Sequence, residues 1–103
     1  MKKIVRVDYR AEKELRSFSR EVQFEFKGYF KALETRGKLE FPEAKKLDKN
    51  LYEIRVSLEG KYRGFYAYIG KEYIIILHLF RKKSQKTPVK NLKLAKRRLK
   101  KYE

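Results

Sequence analysis

Apolar and polar positions along the chain alternate with two periods. Lys3 to Asp8 reads polar, β-branched, polar, which predicts a short first strand, and Asp8 is placed to cap a following helix. Leu15, Phe18, Val22, Phe26, Tyr29/Phe30 and Leu33 then recur every three or four residues, a helical stripe that Gly37 closes. Ser17 and Ser19 break it into two antiparallel helices, and the aromatic residues at this spacing are core. Residues 38–50, polar and containing Pro42, read as a connection.

From Leu51 the period becomes two. Tyr52, Ile54, Val56 and Leu58 share one face of a strand; Glu53, Arg55 and Ser57 share the other. Glu59-Gly60 signals a turn, Tyr62 to Ile69 a further strand, and Gly70-Lys71-Glu72 the next turn. Alternation puts Arg63 on the face of Lys61, Phe65 and Ala67, opposite Tyr62, Tyr66 and Tyr68. Tyr73 to Phe80 is apolar nearly throughout, as in a central strand buried on both faces, with His78 on the side of Ile74, Ile76 and Phe80. Short turns between three strands make an antiparallel meander. Thr87 offers a cap with Pro88 at the first helical position, and Val89, Leu92, Ala95, Leu99 and Tyr102 form the stripe of a last helix. Its other face is basic: Lys90, Lys93, Lys96, Arg97, Arg98, Lys100 and Lys101. The predicted order is β-α-α-β-β-β-α, an α+β domain over residues 1–103 with two N-terminal helices and one C-terminal helix on a twisted, mainly antiparallel sheet.

Charge narrows the function. The 29 Lys and Arg outnumber 13 Asp and Glu, a net charge of +16. Such a surface attracts polyanions: nucleic acid, a ribosome, an anionic membrane or an acidic protein. Absence of cysteine excludes disulfides and Cys-based zinc sites, and His78 is the sole histidine, so no metal or other cofactor is expected. The N-terminus has no signal-peptide apolar core, and the longest apolar run is too short to span a bilayer. A cytoplasmic protein without a membrane partner is expected.

Familiar catalytic signatures, such as a phosphate-binding glycine loop, a nucleophile elbow or paired histidines, do not occur. The remaining chemistry is cationic. Arg55 and Arg63 lie where a meander brings them together, and the loop Arg81-Lys82-Lys83-Ser84-Gln85-Lys86 follows the central strand directly. Cations converging from neighbouring strand ends can bind a phosphate and stabilise the extra charge of a pentacovalent phosphorane. Each residue alone has a blander reading. A lone Arg55 is ordinarily solvated, a basic loop is ordinarily a solvated turn, and His78 reads as a satisfied core histidine before it reads as a base. The basic helix face reads as affinity, because phosphate contacts mainly position.

The words Leu51-Tyr52-Glu53-Ile54-Arg55-Val56, then Tyr62-Arg63-Gly64-Phe65-Tyr66, then Ile76 to Pro88 with its Phe80-Arg81-Lys82-Lys83-Ser84-Gln85-Lys86-Thr87-Pro88 ending, then Ala95-Lys96-Arg97-Arg98-Leu99, occur in a telling order. Together they resemble the phage-derived, HigB-like branch of the RelE/ParE toxin superfamily. The resemblance implies a RelE-like fold and a toxin of a type II toxin–antitoxin pair. Such a toxin is a metal-independent endoribonuclease that cleaves mRNA on the ribosome. It is held in check by a cognate antitoxin that often carries a helix-turn-helix domain. The family's catalytic cations fall on Arg55, Arg63, Lys82 and Lys83. Glu53 and His78 are the candidate acid–base groups, and Arg81, Gln85, Lys86, Lys90, Lys93 and Arg97 the expected RNA contacts. RelE-type enzymes also use a tyrosine near the start of the last helix; Val89 occupies that region here, and Tyr102 lies too near the chain end to replace it. Two rival readings share the fold and the basic surface: a ParE-like inhibitor of DNA gyrase, and a non-catalytic RNA- or ribosome-binding module.

Overall fold

The computed structural model describes residues 2–86 and 88–103. Its elements are β1 (Ile4–Val7), α1 (Tyr9–Arg16), α2 (Arg20–Arg36), β2 (Ala44–Asp48), β3 (Leu51–Ser57), β4 (Lys61–Ile69), β5 (Tyr73–Arg81) and α3 (Val89–Lys100). The strands form one sheet in the order β1-β5-β4-β3-β2. β1 runs parallel to β5, and the other pairs are antiparallel. The expected α+β architecture is present with one more strand than the periodicity predicted. β2 lies in the stretch read as a connection. It is a short edge strand with Ala44 buried and Lys45 and Lys46 exposed, and charged residues of this kind blunt a sheet edge.

The helical boundaries follow local chemistry. The Asp8 carboxylate accepts the Arg10 and Ala11 amides at 2.8 and 3.4 Å and so caps α1. Ser17 ends α1, and the Ser19 hydroxyl accepts the Val22 amide to start α2. Gly37 closes α2 at φ 80°, where its N–H reaches the Leu33 carbonyl. α3 begins one residue later than predicted: Pro88 is its N-cap and Val89 its first residue. Thr87, the expected cap, lies outside the described residues.

The sheet separates two apolar layers. α1 and α2 place Leu15, Val22, Phe26 and Leu33 on one face, against Ile54, Val56, Tyr66, Ile74, Ile76 and Leu79. α3 places Ala95 and Leu99 on the other, against Leu51, Phe65, Ala67, Ile75, Leu77 and Phe80. Val89, assigned to the α3 stripe by its spacing, is 61% exposed because it precedes the turn that meets the sheet. Gly64 is where the first layer closes on β4: a Cβ there would stand 2.6 Å from Leu79 Cδ2 and 3.0 Å from Phe26 Cε1.

β5 departs from strict alternation. Phe65 pairs with His78 and Tyr66 with Ile76, which leaves Leu77 as an extra residue in β5. Beyond this bulge the faces exchange. His78 stacks on Phe80 (centroids 5.1 Å apart) and adjoins Phe65, on the α3 side. It is therefore not on the face of Ile74 and Ile76, as alternation had it. Among the described residues, no helix is long and apolar enough to cross a membrane.

Candidate functional site: a cationic cluster on the α3 face of the sheet

Arg55 and Arg63 are direct partners across β3 and β4. Both guanidiniums turn to one carboxylate. Glu53 Oε1 accepts from Arg55 Nε at 3.1 Å, and Oε2 lies 3.6 Å from Arg63 Nε. Glu53 is buried, and Arg63 is 7% exposed, whereas the Arg55 side chain reaches the rim. Arg63 Nη1 donates to the Tyr62 carbonyl at 2.9 Å, but Arg63 Nε is buried with no hydrogen-bond partner. Arg63 Nε thus faces Glu53 as a loose ion pair, too long for a hydrogen bond. Burial lowers the affinity of Arg63 for its proton; Glu53 opposes that effect and Arg55 adds to it.

Lys82 joins this cluster from the end of β5, where its amide donates to the Lys61 carbonyl at 2.7 Å. Loss of solvent around its ammonium, and then the nearby Arg63, hold its pKa below the usual lysine value; Arg55 and Lys61 act in the same direction, and Glu53 against it. One carboxylate thus faces an excess of fixed positive charge on the face that also carries Phe65 and Phe80.

The other expected site residues, Glu53 apart, lie elsewhere. Arg81 points to the opposite face, its guanidinium 5.8 Å from the Tyr62 ring centroid and bonded to the Glu59 carbonyl. Lys83, Gln85 and Lys86 are exposed on the loop that leads to α3, and Lys90, Lys93 and Arg97 are exposed on α3 itself. Glu53 is engaged as the counterion of two arginines. His78 is buried with both ring nitrogens taken: Nδ1 is 2.9 Å from Glu14 Oε1 and Nε2 is 2.6 Å from Asn91 Oδ1.

Behind the cluster lies a network that periodicity did not predict. Glu14 of α1 accepts from the Leu79 amide at 3.0 Å and from Arg98 Nη1 and Nη2 at 3.1 and 3.0 Å. Burial pushes the Glu14 carboxyl up, but the bonds from His78, Arg98 and the Leu79 amide outweigh it and hold it below the usual glutamate value. Arg98 is therefore buried and is not part of the basic helix face to which the periodicity assigned it. Its position was the available signal: Arg98 falls between Ala95 and Tyr102 at the spacing of the apolar stripe. Tyr102 ties the chain end to the start of α1, donating to Asp8 Oδ2 at 2.5 Å.

Residues 13–100 match the family described as phage-derived protein Gp49-like (DUF891). The chain belongs to this family. Three solved structures share the fold of this Gp49-like chain. A mutant of the E. coli toxin RelE in the free state is 19% identical at a TM-score of 0.74, covering 96% of this chain and 99% of that one. The E. coli RelBE toxin–antitoxin complex matches at 19% identity and a TM-score of 0.66, over 80% of this chain and 99% of that one. The Mycobacterium tuberculosis RelBE2 toxin–antitoxin complex matches at 16% identity and a TM-score of 0.62, over 80% and 100%. No curated protein matches in sequence. The fold is that of the RelE toxins.

Proposed function

We propose that this Gp49-like protein is the toxin of a type II toxin–antitoxin pair, of the HigB-like branch, and an endoribonuclease that cleaves mRNA on the ribosome in the cytoplasm. The observation that carries this reading is the convergence of Arg55 and Arg63 on one buried carboxylate, with Lys82 following directly at the end of β5.

The substrate's 2′-hydroxyl attacks the adjacent phosphorus. A 2′-O–P bond forms, the P–O5′ bond breaks, and a 2′,3′-cyclic phosphate and a 5′-hydroxyl result. Arg63 sets its positive charge behind the non-bridging oxygens, and Arg55 binds one of them from the rim. Their fixed charge grows in value as the phosphorane gains charge, because the site is partly closed to water. Lys82, with its proton affinity lowered, gives a proton to the departing 5′-oxygen, and the 2′-hydroxyl proton leaves to solvent. Fixed cations supply the positive charge, so the step asks nothing of a metal. Lys83, Gln85 and Lys86 hold the RNA backbone beside the cluster, and Lys90, Lys93 and Arg97 extend the contact along α3.

The partner is a cognate antitoxin, with a helix-turn-helix domain in this branch. The toxin–antitoxin complexes among the fold relatives and the excess of exposed cations support an acidic partner for the cluster face. Incubating the purified protein with translating ribosomes and mapping new 5′-hydroxyl ends tests the reading. Cleavage within open reading frames that disappears in Arg63→Ala is expected. Intact mRNA together with blocked DNA supercoiling would replace it with the gyrase-inhibitor reading.

A further inference from the structure

α2 has two unlike sides. Val22, Phe26, Phe30 and Leu33 face the sheet. At about 100° per residue, the line directly opposite them carries Phe24 and Gly28, with Glu21 and Lys31 alongside. Phe24 is 77% exposed. Gly28 sits in the middle of a 17-residue helix, where glycine is the poorest helix former after proline. A Cβ at Gly28 would meet no atom within 4 Å, so nothing within the chain requires the glycine. A large exposed ring thus stands one turn from bare backbone, beside a groove of about 310 Å³ floored by Gly28 and Ala32.

We infer that this side of α2 docks a second copy of the chain in an antiparallel α2–α2 contact, each Phe24 seated over the partner subunit's Gly28. The twofold axis that makes this contact also sets Glu21 opposite the partner subunit's Lys31, twice, so the surface is complementary to itself in shape and in charge. A parallel contact would set each of these residues against its own kind. Lys31 meets Glu34 of its own helix at 3.2 Å, with both side chains largely exposed, and so weak a pair does not compete with docking.

The helix is about 25 Å long at 1.5 Å per residue, so the contact is smaller than a standard interface and the dimer is concentration-dependent. Each copy carries +16, and screening that repulsion strengthens association. Dimerisation therefore rises with salt over the range in which polyanion binding falls. α2 packs on the sheet face opposite Arg55 and Arg63, so both cationic clusters of the dimer point outward and stay open.

Sedimentation equilibrium of the whole chain tests this, in low salt and in about 0.3 M NaCl, where the Debye length is well under 10 Å. The protein is loaded up to about 1 mM, the weak end of specific affinity. A monomer–dimer equilibrium that tightens with salt is expected. Gly28→Leu, which fills open space on the monomer, should shift it to monomer by tenfold or more while circular dichroism and RNA affinity stay unchanged. Glu21→Lys should do the same, and Glu21→Lys/Lys31→Glu should restore the dimer by exchanging the charges. A protein that stays monomeric throughout, or a dimer indifferent to Gly28→Leu and to Glu21→Lys, would overturn the inference.

Discussion

Arg55 and Arg63 stand opposite each other on adjacent antiparallel strands, and each aims its Nε toward the same carboxylate, that of Glu53. Two guanidiniums at this spacing would repel if alone. The shared Glu53 holds them together yet leaves the cluster positively charged, two guanidiniums to one carboxylate.

Arg63→Ala is expected to lower the single-turnover cleavage rate by about a hundredfold to a thousandfold, the usual cost of removing one donor to a transition-state oxyanion. It should also cost about 2 kcal/mol of stability, because buried Glu53 loses a counterion. Arg63→Lys should recover some stability and little rate, since an ammonium lacks the planar fork. Rates at saturating RNA and urea midpoints of the same preparations separate the two effects. A wild-type rate in folded Arg63→Ala would displace the active site.

Lys82 should set the alkaline limb of the rate profile. An acid must hold its proton, so the rate falls as pH rises through the Lys82 pKa, at a pH below the ordinary lysine range. Removing Arg63 relieves one cause of that depression and should move the residual limb to higher pH. Lys82→Arg should abolish the limb with the rate already low. A profile for Lys82→Arg that overlays the wild type would exclude the role.

Much of this architecture is written in local pattern. Ser17, Ser19 and Gly37 mark the helix ends, and the alternation from Leu51 onward is enough to put Glu53 and Arg55 on one face. Three features resist such reading. β2 buries too few side chains at the sheet edge to imprint a period. The bulge at Leu77 is a property of pairing and leaves no mark on β5 itself. Arg98 and Glu14, distant in sequence, find each other only through packing, so a basic run conceals a buried arginine.

Acid should weaken the fold through Glu14. Its folded pKa is depressed, so its contribution is fully present above the unfolded value near 4.5 and is lost as pH falls through the folded value. Urea midpoints should therefore decline below about pH 4.5. Glu14→Gln should lose about 2 to 3 kcal/mol at neutral pH, because buried Arg98 loses its charged hydrogen-bond partner, and show a shallower acid slope. Part of the slope should persist through Asp8. Burial raises the Asp8 carboxyl, but the Arg10 and Tyr102 bonds outweigh this and hold it far below the usual range.

The exposed face of α3 should govern affinity and not rate. Replacing Lys90, Lys93 and Arg97 together with alanine should weaken binding to single-stranded RNA and reduce the salt slope by about 0.7 for each phosphate no longer neutralised. The single-turnover rate at saturation should not change. An unchanged salt slope would place the RNA elsewhere.

Gly28→Ala should stabilise dilute, monomeric protein by about 0.8 to 1.0 kcal/mol, because the site is helical, exposed and sterically open. Thermal melts well below the dimer concentration range measure it. A loss of stability would mean that the helix needs glycine for a reason internal to the chain.

The extra residue at Leu77 acts on positions downstream of itself. In an evenly paired β5, Arg81 would share a face with Arg63, and Lys82 would turn toward α1 and α2. With the bulge the two exchange places: the permanently charged guanidinium settles on the Tyr62 ring, and the titratable amine goes to the cluster. The strand's length in residues thus selects which of two adjacent cations lies on the face of Arg55 and Arg63. Inserting or deleting one residue between Leu79 and Arg81 would swap a titratable amine for a permanently charged guanidinium on that face, although none of Arg55, Arg63 and Glu53 had been altered.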